Sequence, residues 1–198
     1  MAGRPREFDR NVALAKARDA FWARGYEGVS MADLVEALGI ASARIYAAFG
    51  SKEALFREAV ALYAGEEGGF AERAVAEEPT AVRAIERSLR EAVENCTRKG
   101  RPQGCMMVLA ATNCAAENDG VRLLLSEYRQ RRTTMLLERL KRAVAEGELR
   151  AQTDAEALAD HYSTILLGIA VQARDGVSRK RLLATVPTAM LALRAELA

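Results

Sequence analysis

The chain is poorest in the side chains that carry covalent and metal chemistry. It has one histidine, His161, and three cysteines, Cys96, Cys105 and Cys114, among 198 residues. A single histidine supplies neither a two-histidine metal site nor a Ser-His pair, so its plain reading is a structural side chain. The cysteines stand nine residues apart with no Cys-x-x-Cys pair, the pattern of small buried hydrophobes in a reducing compartment. Aromatics reach only 6%; with Ala and Leu abundant, helices are favoured throughout. Long apolar runs are missing too. The longest, residues 165–171, is far short of the roughly 20 residues of a membrane helix, and the N-terminus lacks the apolar core of a secretory signal. The expected compartment is the cytoplasm, with no membrane contact. Nor is there an excess of one charge: the formal net charge is +2, and residues 1–60 hold nine Arg and Lys against eight acids. That balance excludes a protein that coats nucleic acid by charge alone. No converging set of acids, bases or metal ligands is visible, so neither an enzyme nor a cofactor is expected.

What is present is helical punctuation. Half of the residues are hydrophobic, enough for a real core in one or two domains. Leu14, Ala17 and Phe21 repeat at helical spacing, predicting an amphipathic helix over 10–23 that Gly25 closes. Ser30 followed by Asp33 signals a helix start, Leu34 and Leu38 share a face, and Gly39 ends that helix. A second short helix is predicted over 42–49, with Ile45 and Phe49 inward and Ser42, Arg44, Tyr46 and Ala47 outward. Gly50-Ser51 breaks the chain again, Ser51 caps, and Lys52 opens a third helix anchored by Leu55 and Phe56. A lysine in a first turn opposes the macrodipole, a local cost of about 0.3–1 kcal/mol that a nearby anion relieves.

The string SMADLVEALGIASARIYAAFGSKEALF, residues 30–56, closely resembles the helix-turn-helix of the tetracycline-repressor (TetR) family. The small-residue turn, the aliphatic-Tyr pair, the Phe three residues later and Ser-Lys-Glu-x-Leu-Phe are all in register. The resemblance implies an all-α protein: a three-helix DNA-binding domain at residues 1–56, with a tail at 1–9, and a helical regulatory and dimerisation domain at 57–198. It places DNA contacts at Ser30, Ser42, Ala43, Arg44, Tyr46, Ala47 and Lys52. Arg44 is the best candidate base reader, since a guanidinium can bond O6 and N7 of guanine for about 1–3 kcal/mol of discrimination. Tyr46 and Lys52 fall at phosphate-contacting positions. Arg4 and Arg6 in the tail are suited to a phosphate backbone or a minor groove. With alanines at 32, 47 and 48, direct readout is sparse and binding depends on a second copy.

Beyond residue 60, glycines at 65, 68 and 69 predict a bend or break in a helix reaching about residue 76. Another helix is expected from Thr80 to about Thr97, a loop at 98–104, a helix at 105–114, and a long helix at 121–146. In the last, Leu124, Tyr128, Met135, Leu136 and Leu140 are the inward candidates. Thr153 with Glu156 predicts a capping box for a helix carrying Leu158, Tyr162, Ile165 and Ile169. Ser178 caps the last helix, which Pro187 is expected to kink. GCMMVLAATNCAAEN and the later GELRAQTDAEALADHYSTILLGIAVQARDGVSRKRL also resemble the regulatory domain of a TetR subgroup. That implies a homodimer through the last two helices and half-sites of a palindromic double-stranded operator about 34–36 Å apart. It also implies release by an unknown small-molecule effector, with Met106, Met107, Leu109, Asn113, Tyr128, His161, Tyr162 and Leu166 as candidate pocket residues. A thiol-based redox sensor using Cys105, beside Arg101 and a predicted helix start, is the alternative; a helical enzyme on the same scaffold is the remaining one.

Overall fold

The computed structural model describes residues 8–198; Arg4 and Arg6 lie outside them. Among these residues the order is α1 (Arg10–Arg24), α2 (Met31–Leu38), α3 (Ser42–Phe49), α4 (Lys52–Gly65), α5 (Phe70–Glu77), α6 (Ala81–Cys96), α7 (Met106–Leu109), α8 (Asp119–Ala145), α9 (Ala155–Arg174) and α10 (Arg179–Arg194). Tight 3-10 turns at Glu67–Gly69 and Ala116–Asn118 lead into α5 and α8. The structure is all-α, with one antiparallel bridge tying Leu149 to Leu197.

The first four helices form where the punctuation places them. Asp9 accepts hydrogen bonds from the amides of Asn11 and Val12 and so starts α1. Ser30 and Asp33 close a reciprocal capping box on α2. Gly39, at φ 71° and ψ 26°, ends α2 in the left-handed region, where a Cβ is costly. Ala17, Phe21, Leu34, Ile45, Leu55 and Phe56 are buried between them. At the centre Phe56 meets Phe21 and Tyr26 edge-on, each with ring centroids 5.1 Å apart, a geometry favoured by the ring quadrupoles.

In the remainder, α5 packs on α6, α8 on α9, and α6 on both α9 and α10. The bend or break expected at the glycines is a break: α4 ends at Gly65 and α5 starts at Phe70. Gly68 is buried there, and a Cβ on it would lie 2.7 Å from the Tyr63 ring and 2.8 Å from the Met107 methyl. It serves close packing.

Three expectations are corrected. The helix predicted over 105–114 is the single turn Met106–Leu109. The chain leaves it because the Ala110 carbonyl turns to accept a hydrogen bond from the Tyr26 amide at 2.7 Å. The cap of α9 is Asp154, whose carboxylate accepts from the Ala157 amide at 2.9 Å. Thr153 donates instead to Glu196 at 3.1 Å. Finally, the buried face of α8 is Val121, Leu125, Arg132, Leu136, Arg139, Leu140 and Ala143. Leu124, Tyr128 and Met135 flank it half-buried. The helix α10 runs without interruption through Pro187, whose ring is exposed.

Candidate DNA interface and regulatory cavity

The outward face of α3 follows from its inward one. Ile45 and Phe49 are buried, which leaves Ala43, Arg44, Tyr46 and Ala47 exposed and Ser42 and Ala48 half-buried. Tyr46 is 47% exposed, high for an aromatic with no enclosing wall. An exposed short helix of small residues, carrying one guanidinium and one phenol, has the shape and chemistry to enter a major groove.

Around α3 the charges are mostly matched. Arg10 bonds Glu58 at 2.7 Å and stacks over the Phe49 ring at 4.5 Å. Arg24 bonds Asp33 at 2.8 Å and Arg57 bonds Glu53 at 2.8 Å. The Lys52 ammonium lies 4.2 Å from the centre of the Tyr26 ring, so the two share a cation–π contact beside α3. Burial lowers the pKa of Lys52, and Glu27 acts against that shift. Ser30 is already engaged. Its amide donates to Asp33 at 2.7 Å and its hydroxyl accepts from the Asp33 amide at 3.1 Å. The Ser30 hydroxyl also donates to the Asp33 carboxylate at 2.5 Å, and that bond, then the one from the Ser30 amide, hold the Asp33 carboxyl well below its usual pKa, with Arg24 adding to them.

The reading head is joined to the second half through the end of α1. Trp22 donates from Nε1 to the Gly104 carbonyl at 3.0 Å and packs on Tyr63 with ring centroids 4.8 Å apart. Arg174, the last residue of α9, donates to the carbonyls of Ala23 and Trp22 at 2.8 and 3.2 Å. Glu27 accepts from the Ala115 amide at 3.0 Å and the Asn118 side chain at 2.8 Å, which lowers its pKa. The segment 104–118 is therefore bonded to the head at several points.

The same segment lines a cavity. Cys105 and Val108 line, with Phe70, Ala92, Cys96, Arg129, Arg132, Ser163, Leu166 and Leu167, a partly open space of about 20 Å³. Of the residues expected to line a pocket, Leu166 does. Met106 and Met107 are buried beside it, Tyr128 is half-buried on α8, and Asn113 stands on an exposed turn. Tyr162 is buried elsewhere: its hydroxyl donates to Ala189 at 3.1 Å and accepts from the Leu193 amide at 3.2 Å, pinning α9 to α10. His161 is exposed on the outer face of α9. Arg129 and Arg132 are not among the residues the sequence singles out, since a charged side chain ordinarily marks a solvated surface. The signal was there: Arg132 lies seven residues after Leu125 and four before Leu136, on one stripe. Cys105 is 3% exposed, closed in against Tyr63, which hydrogen-bonds it. That burial removes the accessible thiol a redox sensor needs.

The outer faces of α9 and α10 stay uncovered in the single chain. Val171 and Leu191 are 44% and 62% exposed, and a Cβ on Gly168 would meet nothing within 4 Å. Such a small-residue, apolar face suits a two-fold helical interface. Among the described residues no helix is long and apolar enough to cross a membrane.

A capped helix-turn-helix with a sparse outward face, joined to a helical body with a cavity, defines a DNA-binding transcriptional regulator of two parts. The family comparisons agree. Residues 13–59 match the family model described as bacterial regulatory proteins, tetR family, and residues 79–186 match the tetracyclin repressor-like C-terminal domain. The chain belongs to the TetR family. It is 33% identical to the HTH-type transcriptional repressor ComR of Escherichia coli K12 over 192 residues, covering 95% of this chain and 90% of that one. It is 28% identical to the repressor BdcR of the same organism over 97% of this chain and 92% of BdcR. Among solved structures it resembles a cysteine mutant of the TetR family regulator CifR complexed with 26-base-pair operator DNA, at 47% identity and TM-score 0.91. That likeness covers 96% of this chain and 99% of CifR. TetR family regulators act as dimers on double-stranded operators.

Proposed function

We propose that the protein is a cytoplasmic repressor, not an enzyme, that holds a palindromic operator as a homodimer through α9 and α10 and lets go when a small molecule occupies the cavity. One observation carries this: Cys105 and Val108 line the cavity, and Gly104 and Ala110 on either side of them accept hydrogen bonds from Trp22 and Tyr26 of the head. A ligand that moves that wall changes the angle of each head, and two heads at a fixed half-site spacing tolerate little change. We assign residues 1–56 to the reading head and 57–198 to regulation, with Arg44 reading bases and Tyr46 and Lys52 gripping phosphates.

The test is a gel-shift titration on the DNA upstream of the protein's own gene. Arg44→Ala is expected to cost about 1–3 kcal/mol and relax preference at one position of each half-site. Lys52→Gln should weaken all sequences alike and flatten the salt dependence by about one charge per protomer. Unchanged affinity and unchanged preference in Arg44→Ala would remove α3 from the groove.

A further inference from the structure

The cavity wall contains a cation with an unspent donor. Arg132 is 8% exposed, sits in the cavity wall, and lies with its guanidinium carbon 4.8 Å from the centre of the Phe70 ring. Its Nη2 donates to the Gly68 carbonyl at 2.6 Å, but its buried Nε has no hydrogen bond. The Nε forms an ion pair with the Glu72 carboxylate at 3.5 Å, without a hydrogen bond, and the Glu72 side chain is half exposed to solvent. A buried donor with no hydrogen-bond acceptor is costly, and a bound anion would remove that cost.

A second guanidinium lies one helical turn away. Arg129 lines the same space and donates to the Met107 carbonyl at 2.7 Å. Burial lowers its pKa as well. Among the described residues the lining contains no Asp or Glu, and the rest of it is apolar apart from the two thiols and Ser163, whose hydroxyl shares a 2.6 Å hydrogen bond with Thr133. Two planar cationic forks in an otherwise largely apolar lining match a small monoanion with a hydrocarbon body.

We infer that the cavity takes a small carboxylate, its anionic end on Arg132 and Arg129 and its apolar body against Phe70, Val108 and Leu166. The inference rests on the cavity being the effector site, as proposed above. At about 20 Å³ the space holds no more than a water-sized group, so the ligand must widen it. The anion also competes for the donors now holding the carbonyls of Met107 and Gly68. Both effects release the short α7 turn, whose neighbours Gly104 and Ala110 hold Trp22 and Tyr26. Occupancy of the cavity is thereby converted into loosening of the head.

The experiment is calorimetric titration of the full-length protein with butanoate, hexanoate and benzoate, their primary amides, and inorganic phosphate, alongside operator affinity in each. The expected result is that at least one carboxylate binds, its amide and phosphate do not, and operator affinity falls at saturation. Arg132→Gln should weaken that carboxylate about ten- to hundredfold and, because the Gly68 carbonyl loses its donor, lower ligand-free operator affinity part of the way toward that of carboxylate-saturated wild type. Arg129→Gln, at a half-buried position, carries the same test if Arg132→Gln fails to fold. Equal binding of acid and amide, or equal binding to wild type and both variants, overturns the anion assignment. A wild type that holds its operator but takes none of the carboxylates overturns it too, while leaving the repressor reading intact; failure to hold any operator overturns that reading instead.

Discussion

The head and the body of this protein hold their buried charges differently. Around Phe21, Tyr26 and Phe56 the head buries rings and aliphatics, its buried Arg18 is held by the carboxylates of Asp19, Glu66 and Glu67, and other pairs, Arg10 with Glu58 and Arg24 with Asp33, lie at the surface. Along α8 the body buries two arginines, Arg132 and Arg139, each reaching a backbone carbonyl of a neighbouring turn. An aromatic core is stable in one arrangement and positions α3 rigidly. Buried guanidiniums hold loops by hydrogen bonds that another acceptor can take over, so the body is the half able to respond.

The largest effect expected from breaking this contrast is in the head. Phe56→Ala removes a fully buried ring from the contacts with Phe21 and Tyr26, and should cost roughly 3–5 kcal/mol in urea unfolding. In the body the outcome depends on which residue replaces the arginine. Arg139 donates to Glu148 at 2.8 Å and to the Pro79 carbonyl at 3.1 Å, with Nε and Nη1 unbonded. Arg139→Ala, which leaves a void and an unpaired Glu148, should cost about 1–3 kcal/mol. Arg139→Met, which fills the volume, should recover part of that loss. Equal losses in the two variants would mean that the pairing with Glu148 outweighs the volume.

The same pair makes a pH prediction. Burial alone would raise the Glu148 pKa, but the hydrogen bonds from Arg139 and the Ala81 amide prevail and lower it. A carboxyl depressed in the folded state gives stability that is present above its unfolded pKa, about 4.3, and is lost as pH falls through the lower folded value. Urea midpoints measured from pH 6 downward should therefore fall more steeply for wild type than for Glu148→Gln. Parallel curves would show that this carboxylate contributes nothing to acid sensitivity.

Much of the head was legible because every local signal agreed: Ser30 with Asp33, Gly39, Ser51, and the 3.6-residue spacing of Ile45 and Phe49. In the body, helix order was legible from glycine and proline, but the inner face of α8 was so only in part. Arg132 and Arg139 occupy positions on the buried stripe, so hydrophobicity finds Leu136 and Leu140 on it but adds Leu124, Tyr128 and Met135, which flank the face half-buried, in place of Val121 and Leu125. Likewise α7 is one turn because Ala110 bonds Tyr26 across the chain, a constraint absent from local sequence. The cavity escaped for the same reason: its polar residues resemble surface charges until the fold encloses them.

The smallest effect sharpens the division inside the head itself. Ser30 was expected at the DNA, yet its amide and hydroxyl are both taken by Asp33. If the hydroxyl acts as a cap, Ser30→Ala should lower stability by about 1 kcal/mol and Ser30→Thr should restore most of it. Operator affinity of the folded variants should then stay near that of wild type, because α3 is anchored independently by Ile45 and Phe49. The opposite pattern, with stability kept and affinity lost in Ser30→Ala, would put Ser30 on a phosphate and make α2 a second contact with the operator beside α3.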